Sequence, residues 1–525
     1  MNKRLTFYQF LTVLTVFFFS IKLSAQTTYY VNDGSLAGDI YTTAVGNNAN
    51  PGTAAAPFAT LTYVVNTIGL SSGDTVFIDA GSFNQTDKNL VFNFNNTHFI
   101  GAGSSLTVFN NQAASADANR WATITGSNIS VKDLTITQYN FGTSDGTAIY
   151  VNGASNLLIQ NVLTDENKPG GGGSSIYITN SSSVTLLGGG ANCNTAVSLT
   201  GGGVKIEGAG NLVSFEDYSF SNNSKDYEGG SGLHIAGTAT TVVTVTNSIF
   251  ADNRNQGAEG GGAIFISGSV LNVTGTCFSD NEGYYTSGPM YGGAIAVARG
   301  AQVNLSNCSF TNNTIGSSGK GGAIGVNTSF AGSGSAVIVN IDSCSFSGNT
   351  CGEGSDVYGR VGSSNAVTIN INECTFSGTS LDIRDDNTAS INIQNSGNPS
   401  ATGAGINKLN TTAALSTPNT TCPVLVGSCY PPLCTNPTPT GDATQTFCVA
   451  DSPIVNNLSA AGGLVVWYDD PTAGSAYTGT EALVDGQTYY ASDDAAVCAP
   501  SVPRLAVLVN LSDTASPTTS AVNQV

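Results

Sequence analysis

The stretch Phe310-Thr-Asn-Asn313-Thr-Ile-Gly-Ser-Ser-Gly-Lys-Gly321-Gly322-Ala323-Ile324 decides how this chain is read, because both of its halves recur at a near-constant spacing. The first half returns as Phe220-x-x-Asn223, Phe250-x-x-Asn253, Phe278-x-x-Asn281 and Phe346-x-x-Asn349. The second returns as Gly261-Gly-Ala-Ile264 and Gly292-Gly-Ala-Ile295. Self-similarity at such a period marks a repeat architecture, in which each unit buries its apolar face against the next.

An alternating strand precedes each Phe, and the apolar residue five places upstream can be followed further than the phrase itself. That ladder runs Val131, Ile159, Leu186, Phe215, Val245, Val273, Leu305, Ile341, Ile371, in steps of 28, 27, 29, 30, 28, 32, 36 and 30 residues. The steps are too regular for an ordinary sandwich and too variable for a coiled coil, whereas a solenoid absorbs the variation in its loops. Period-2 runs such as Val337-Ile-Val339-Asn-Ile341 put one apolar face inward, and Gly and Asn supply the corners that need positive φ. The expectation is an all-β chain built on a right-handed parallel β-helix of about eleven coils. Asparagines repeated at one turn should stack and bond to one another and to the backbone.

The paired Phe-x-x-Asn and Gly-Gly-Ala-Ile phrases, over roughly residues 215 to 350, resemble the repeats of the polymorphic outer-membrane proteins. The resemblance implies a β-helical surface adhesin. Those proteins close with an outer-membrane barrel, and no such stretch ends this sequence, so their anchoring does not carry over.

Residues 1–25 carry Lys3 and Arg4, the apolar run Phe7 to Ile21, and Leu23-Ser-Ala25 before Gln26, the pattern of a secretory signal peptide. Removing its three positive charges takes the formal net charge from −19 to −22. So acidic a surface argues against nucleic acid as a partner, since phosphate-neutralising cations are missing. The 63 glycines and 10% charged residues argue against a helical enzyme and a charge-rich disordered chain. Nothing beyond the signal segment reads as an integral membrane span. The expected location is secreted or on the outer cell surface.

Residues 26–74 read as an N-terminal cap. Asn50-Pro-Gly-Thr53, Pro57-Phe-Ala-Thr-Leu61 and Gly73-Asp-Thr-Val-Phe-Ile78 resemble the opening of pectin-lyase-like β-helices, where a short amphipathic helix plugs the first coil. The spacing agrees, because Phe58, Leu61, Val64, Val65 and Ile68 fall at helical intervals before Gly69. Coils then fill 75–415. Cys308, Cys344 and Cys374 share one register, each three places after its ladder residue, with Cys277 one place out. With no His beside them, a stack of small core side chains is expected there, rather than a disulfide or metal column.

The pattern stops past residue 400. Residues 416–436 form a linker rich in Cys and Pro. Residues 437–512 carry short alternating strands around Phe447-Cys448, Leu464-Val-Val-Trp467-Tyr468, Gly486-Gln-Thr-Tyr-Tyr490-Ala and Leu505-Ala-Val-Leu-Val509, which predict a small β-sandwich. This segment resembles the Ig-like modules of bacterial surface proteins. A Cys448–Cys498 disulfide is expected to bracket it, outside the cell. Pro517-Thr-Thr-Ser-Ala521 echoes Pro439-Thr-Gly-Asp-Ala443, so 513–525 is read as the start of a second, truncated module.

For chemistry, hydrolysis of a glycan needs two carboxylates facing each other across a sugar. Asp385-Asp386 is the nearest match, but lacks the Gly-His-Gly and Arg-x-Lys phrases of β-helical polygalacturonases, and His98 and His234 sit in no such phrase. Lyase chemistry needs a cation at the substrate carboxylate, and Arg254, Arg299, Lys320 and Arg360 fall at different points of the repeat and need not converge. A loop column is more regular. Tyr227 and Glu228, Glu259, then Glu282, Tyr284 and Tyr285, with Tyr291, follow successive phrases, and tyrosines beside carboxylates could stack on sugars or help hold Ca²⁺. No other cofactor is implied.

The sequence therefore leads to a non-catalytic adhesin that binds a glycan, or a host or environmental surface, through its β-helix. Its alternatives are a polysaccharide lyase or glycoside hydrolase using the β-helix groove, and a structural spacer.

Overall fold

The computed structural model describes residues 26–409 and 439–512, apart from 85–86, 112–118, 142–145, 170–173, 197–201, 226–228, 258–259, 285–289, 329–335, 353–355, 363–365, 378–381, 387–388, 398, 462–464, 472–475 and 494–503. The proposed signal segment, linker and second module lie outside the described residues, as do Tyr227, Glu228, Glu259, Tyr285 and Cys498. The chain divides into two units, at residue 424.

The first unit is a parallel β-helix. Every strand pair recorded in it is parallel, in a 22-stranded sheet, a 12-stranded sheet and a short 5-stranded one. Each of the nine ladder residues from Val131 to Ile371 pairs in register with the next. The regular solenoid thus runs for about nine turns rather than the eleven or so expected. Val76 and Phe99 extend the same column before it, and Ile393 after it. All twelve side chains are at most 2% exposed and lie in one continuous core.

The two repeated phrases shape each coil differently. The Phe side chains stack face to face from Phe220 to Phe376, with centroids 4.2 to 5.0 Å apart. Each Asn turns inward at the next corner. The side-chain amide of Asn253 donates to Asn281 Oδ1 (2.9 Å) and to the Phe220 carbonyl (2.9 Å). The same pattern continues through Asn281 and Asn313 to Asn349. The stack ends where Asn349 donates to the Asp356 carboxyl at 2.8 Å. Buried amides linked in this way are fully used, which removes the cost of burying them unpaired. In the second phrase the first glycine takes positive φ, as Gly292 does at 70°, and a Cβ there would lie 1.9 Å from the Ile295 carbonyl oxygen. Only glycine fits that corner.

Cys308, Cys344 and Cys374 are free and buried in one column. The backbone N–H of Cys308 points at Cys344 Sγ (3.4 Å) and that of Cys344 at Cys374 Sγ (3.5 Å), so the thiols take part in the corner bonding besides filling space. Cys277, one place out of that register, is disulfide-bonded.

At the N-terminal end a short α-helical turn, Leu61–Tyr63, runs into a π-helical segment, Val64–Ile68. Thr60 caps it by accepting from the Tyr63 N–H. Leu61, Val64 and Val65 join the solenoid core, and Gly69 ends the segment at φ 72°. No helix among the described residues is long and apolar enough to cross a membrane.

The second unit holds one four-stranded sheet in the order Thr444–Cys448, Leu505–Ser512, Thr488–Asp493, Val465–Tyr468. The first pair is parallel and the other two antiparallel. Trp467, Tyr489, Val507 and Val509 form its core with Val455, Leu458 and Leu483. The described residues give a single sheet rather than the two layers of a sandwich.

Candidate functional site

Alternation within the 12-stranded sheet decides which side chains point away from the solenoid interior, although Tyr177, Lys205, His234, Phe265, Ala296 and Tyr358 among them are themselves covered and at most 8% exposed. In each strand the residue after the buried Ile, Val or Leu of the core column points outward. Read coil by coil in strand register, those residues are Tyr150, Tyr177, Lys205, His234, Phe265, Ala296, Gly325, Tyr358 and Arg384. The inner column is uniformly aliphatic, while this outer one changes chemistry from turn to turn and gathers into two clusters.

The C-terminal cluster is built on strands Val357–Arg360 and Ile383–Asp386. The Tyr358 hydroxyl donates to Asp386 Oδ2 at 2.7 Å, and the Lys320 ammonium lies 5.0 Å from the centre of the Tyr358 ring. Arg360 Nη1 donates to the Tyr291 hydroxyl at 3.1 Å, and the two tyrosine rings are 5.8 Å apart. Burial, and then the Asp386 carboxylate, push the Tyr358 phenol above its ordinary range, so it stays a proton donor. Asp386 is held below the usual carboxylate value by the Tyr358 hydroxyl, and by the charges of Lys320, Arg360 and Arg384 against the opposing pull of burial.

The N-terminal cluster occupies three successive outward positions. The Tyr177 hydroxyl donates to Glu207 Oε2 at 2.6 Å, and the Lys205 ammonium meets the same oxygen at 3.0 Å. Lys205 also lies 5.1 Å from the centre of the Tyr177 ring, whose other face stacks on Tyr150, and Arg120 covers Tyr150 in turn. Burial raises the Glu207 carboxyl, but the Tyr177 and Lys205 bonds outweigh it and hold the group below its ordinary value. His234 Nδ1 lies 2.7 Å from the Gly229 carbonyl oxygen, which also accepts from Lys225 Nζ at 2.9 Å. Burial, then the Lys225 charge, push the imidazole well below its usual value and keep it neutral.

The sequence-derived candidates separate in space. Asp385 and Asp386 are adjacent on one strand and so point to opposite sides. Asp385 sits inside the solenoid, accepting from the Gly405 N–H at 2.8 Å, while Asp386 faces out. They cannot flank a sugar as a pair. Lys320 and Arg360 do converge, on Tyr358 and Asp386, contrary to the reading that the cations need not meet. Arg254 stands elsewhere, paired with Glu282 at 3.1 Å and 5.6 Å from the ring centre of Tyr284, beside the 5-stranded sheet. Tyr291 belongs with Arg360 and is only 2% exposed. No group of three or more His, Cys, Asp or Glu among the described residues is placed to hold a metal ion. Sequence reading passed over Tyr177, Lys205, Glu207 and His234. The available signal was the register itself, since each column member directly follows a core residue.

No family model matches the chain, and no curated protein does. Solved structures do. A rhamnogalacturonan lyase is 16% identical with a TM-score of 0.36, over 61% of this chain and 82% of its own. A pectate lyase is 15% identical with a TM-score of 0.40, over 75% and 82%. The A-module of a mannuronan C-5 epimerase from Azotobacter vinelandii is 15% identical with a TM-score of 0.40, over 66% and 92%. At these identities the likeness is one of fold. Lyases, an epimerase and glucanases are what the fold is matched with, so the expectation of a non-catalytic adhesin is not carried forward, while the likeness itself assigns no activity to this chain.

Proposed function

We propose that this chain is an exported enzyme that cleaves an acidic polysaccharide by β-elimination along the outer face of the 12-stranded sheet. One observation carries the reading. The protein has 16 Lys and Arg against 35 Asp and Glu, yet Arg120, Lys205, Lys320, Arg360 and Arg384 gather on this face, where Glu207 and Asp386 are the acids beside them among the described residues. A cationic strip on an acidic protein suits a polyanion, and elimination next to a carboxylate needs that carboxylate neutralised and a proton donor at the leaving oxygen. Tyr177 and Tyr358 are such donors, each already giving its proton to an acid.

Hydrolysis fits less well. Glu207 and Asp386 stand six strand steps apart, roughly 29 Å at the usual inter-strand spacing, whereas paired carboxylates work within about 9.5 Å of each other. The apolar and basic leader at 1–25, together with the resemblance of 437–512 to surface modules, supports action outside the cell.

The reading is tested by offering polygalacturonate, alginate and a neutral glucan to the full chain, with turnover expected on a uronate polymer alone. Arg360→Gln should then lower kcat/KM by about tenfold or more through the lost ionic contact. Equal turnover on the neutral glucan, or an unaffected Arg360 variant, contradicts it.

A further inference from the structure

The two clusters on the outer face are unequal, and the difference lies in what each can do with a proton. Strand Leu233–Gly237 stands four strand steps from Val357–Arg360, roughly 19 Å at the usual spacing, so one sugar cannot touch both. Resting on the lyase reading, we infer that His234, Lys205 and Tyr177 are the reaction centre, and that the cluster of Lys320, Arg360 and Asp386 is a distal subsite holding the same polymer.

The tautomer of His234 is fixed by its surroundings. A carbonyl oxygen only accepts, so the ring nitrogen facing the Gly229 carbonyl must carry the proton, and Nε2 is the one with the lone pair. Nothing among the described residues bonds that second nitrogen. The ring plane is pinned by stacking on Phe265, with centroids 5.0 Å apart at 19°. An ordinary buried histidine uses both nitrogens, whereas this one is oriented through one and keeps the other as a base. Burial and the Lys225 charge keep the ring neutral, so that its lone pair is available.

The neighbours complete the chemistry in strand order. Lys205 pairs directly with His234 across the sheet, and Tyr177 pairs with Lys205. Base, cation and proton donor thus follow one another in a single column at about 4.8 Å intervals, with His234 and Tyr177 two steps apart and Lys205 between them. In the step, His234 Nε2 takes the proton from the carbon bearing the carboxylate, and that electron pair becomes the ring C=C bond. The adjacent C–O bond breaks and its oxygen takes the Tyr177 proton. Lys205 stands beside the carboxylate while charge builds on it, and afterwards beside the phenolate. The imidazolium then loses its proton to water and the phenolate regains one from water, so no other reactant is consumed. Among the described residues the distal cluster holds no histidine. Its Tyr358 is a donor tied to Asp386, and its guanidinium and ammonium groups can hold a carboxylate without removing a proton.

The test uses the full chain on whichever of polygalacturonate or alginate the wild type cleaves. His234→Gln should lower kcat by about 10³-fold, and Tyr177→Phe by about 10²-fold, with KM little changed. Arg360→Gln should instead act through KM, raising it about tenfold on the polymer. Run in deuterated water, Tyr177→Phe should still exchange the hydrogen beside the carboxylate without cleavage, and His234→Gln should lose both. Exchange separates a base from a residue that only shapes the site. The assignment is overturned if a folded His234→Gln keeps more than a tenth of wild-type kcat. Should that variant fail to fold, a Tyr177→Phe enzyme with full kcat overturns it equally. A wild type that cleaves neither polymer refutes the lyase reading itself, a result distinct from loss confined to the variants.

Discussion

The interior columns of the solenoid repeat one kind of side chain turn after turn, aliphatic, Phe or Asn, while the outer column of the 12-stranded sheet passes from Tyr150 and Tyr177 to Lys205, His234 and Phe265. Phe278 stacks between Phe250 and Phe310, and Asn281 bonds Asn313, because adjacent coils offer each side chain a copy of itself. On the outer face Lys205 has Tyr177 on one side and His234 on the other. Sameness is what stacking inside a coil requires, and variation is what a site needs. The contrast separates scaffold from chemistry within one strand, residue by alternate residue.

Substitutions should divide along the same line. The largest expected loss of stability is inside. Leu305→Asp puts a charge between Val273 and Ile341 and should cost several kcal/mol, with Phe278→Ala close behind at about 3 to 5 kcal/mol, both read by chemical denaturation. An outward-facing change with equal cost would erase the distinction.

Buried acids supply a second prediction. Burial raises the carboxyls of Asp165 and Asp356 to about 7 and that of Asp87 to about 6. A carboxyl raised in the folded state binds its proton more tightly there than when unfolded. Its stabilisation is therefore complete below the unfolded value near 3.8 and is lost as pH rises through 6 to 7. Stability of the solenoid should fall between about pH 4 and pH 7, and Asp165→Asn should remove part of that slope, up to about 4 kcal/mol. A slope unchanged by the substitution would show that Asp165 ionises without penalty.

A smaller effect is expected at the corner. Asn281→Ala deletes the bonds to Asn313 and to the Phe250 carbonyl and should cost about 1 to 3 kcal/mol. The smallest belongs outside, where Lys320→Ala and Arg384→Ala should leave stability within about 0.5 kcal/mol while weakening polymer binding. Unfolding measured alongside KM sharpens the comparison, since interior and exterior variants should move only one quantity each.

The solenoid was legible because its core repeats. All nine members of the predicted ladder fall in register, and the Phe and Asn stacks were visible as phrases. The site was not, for the same reason inverted. Tyr177, Lys205 and His234 share no residue type, so no search for recurrence finds them. Only projecting the register one residue past Ile176, Val204 and Leu233 does so. Asp385-Asp386 misled through adjacency in sequence, which strand alternation turns into separation in space. Lys320 and Arg360 occupy different places in the coil, yet the corner brings Lys320 over the Tyr358 ring.

The most direct measurement counts two kinds of chain end at once while the protein digests polygalacturonate or alginate. New reducing ends report every cleavage, and the ultraviolet absorbance of unsaturated uronate reports only those made by elimination. The account predicts that the two rise together in equal number, and that both vanish in His234→Gln. Reducing ends that appear without unsaturation, or no new ends on either polymer, would contradict it.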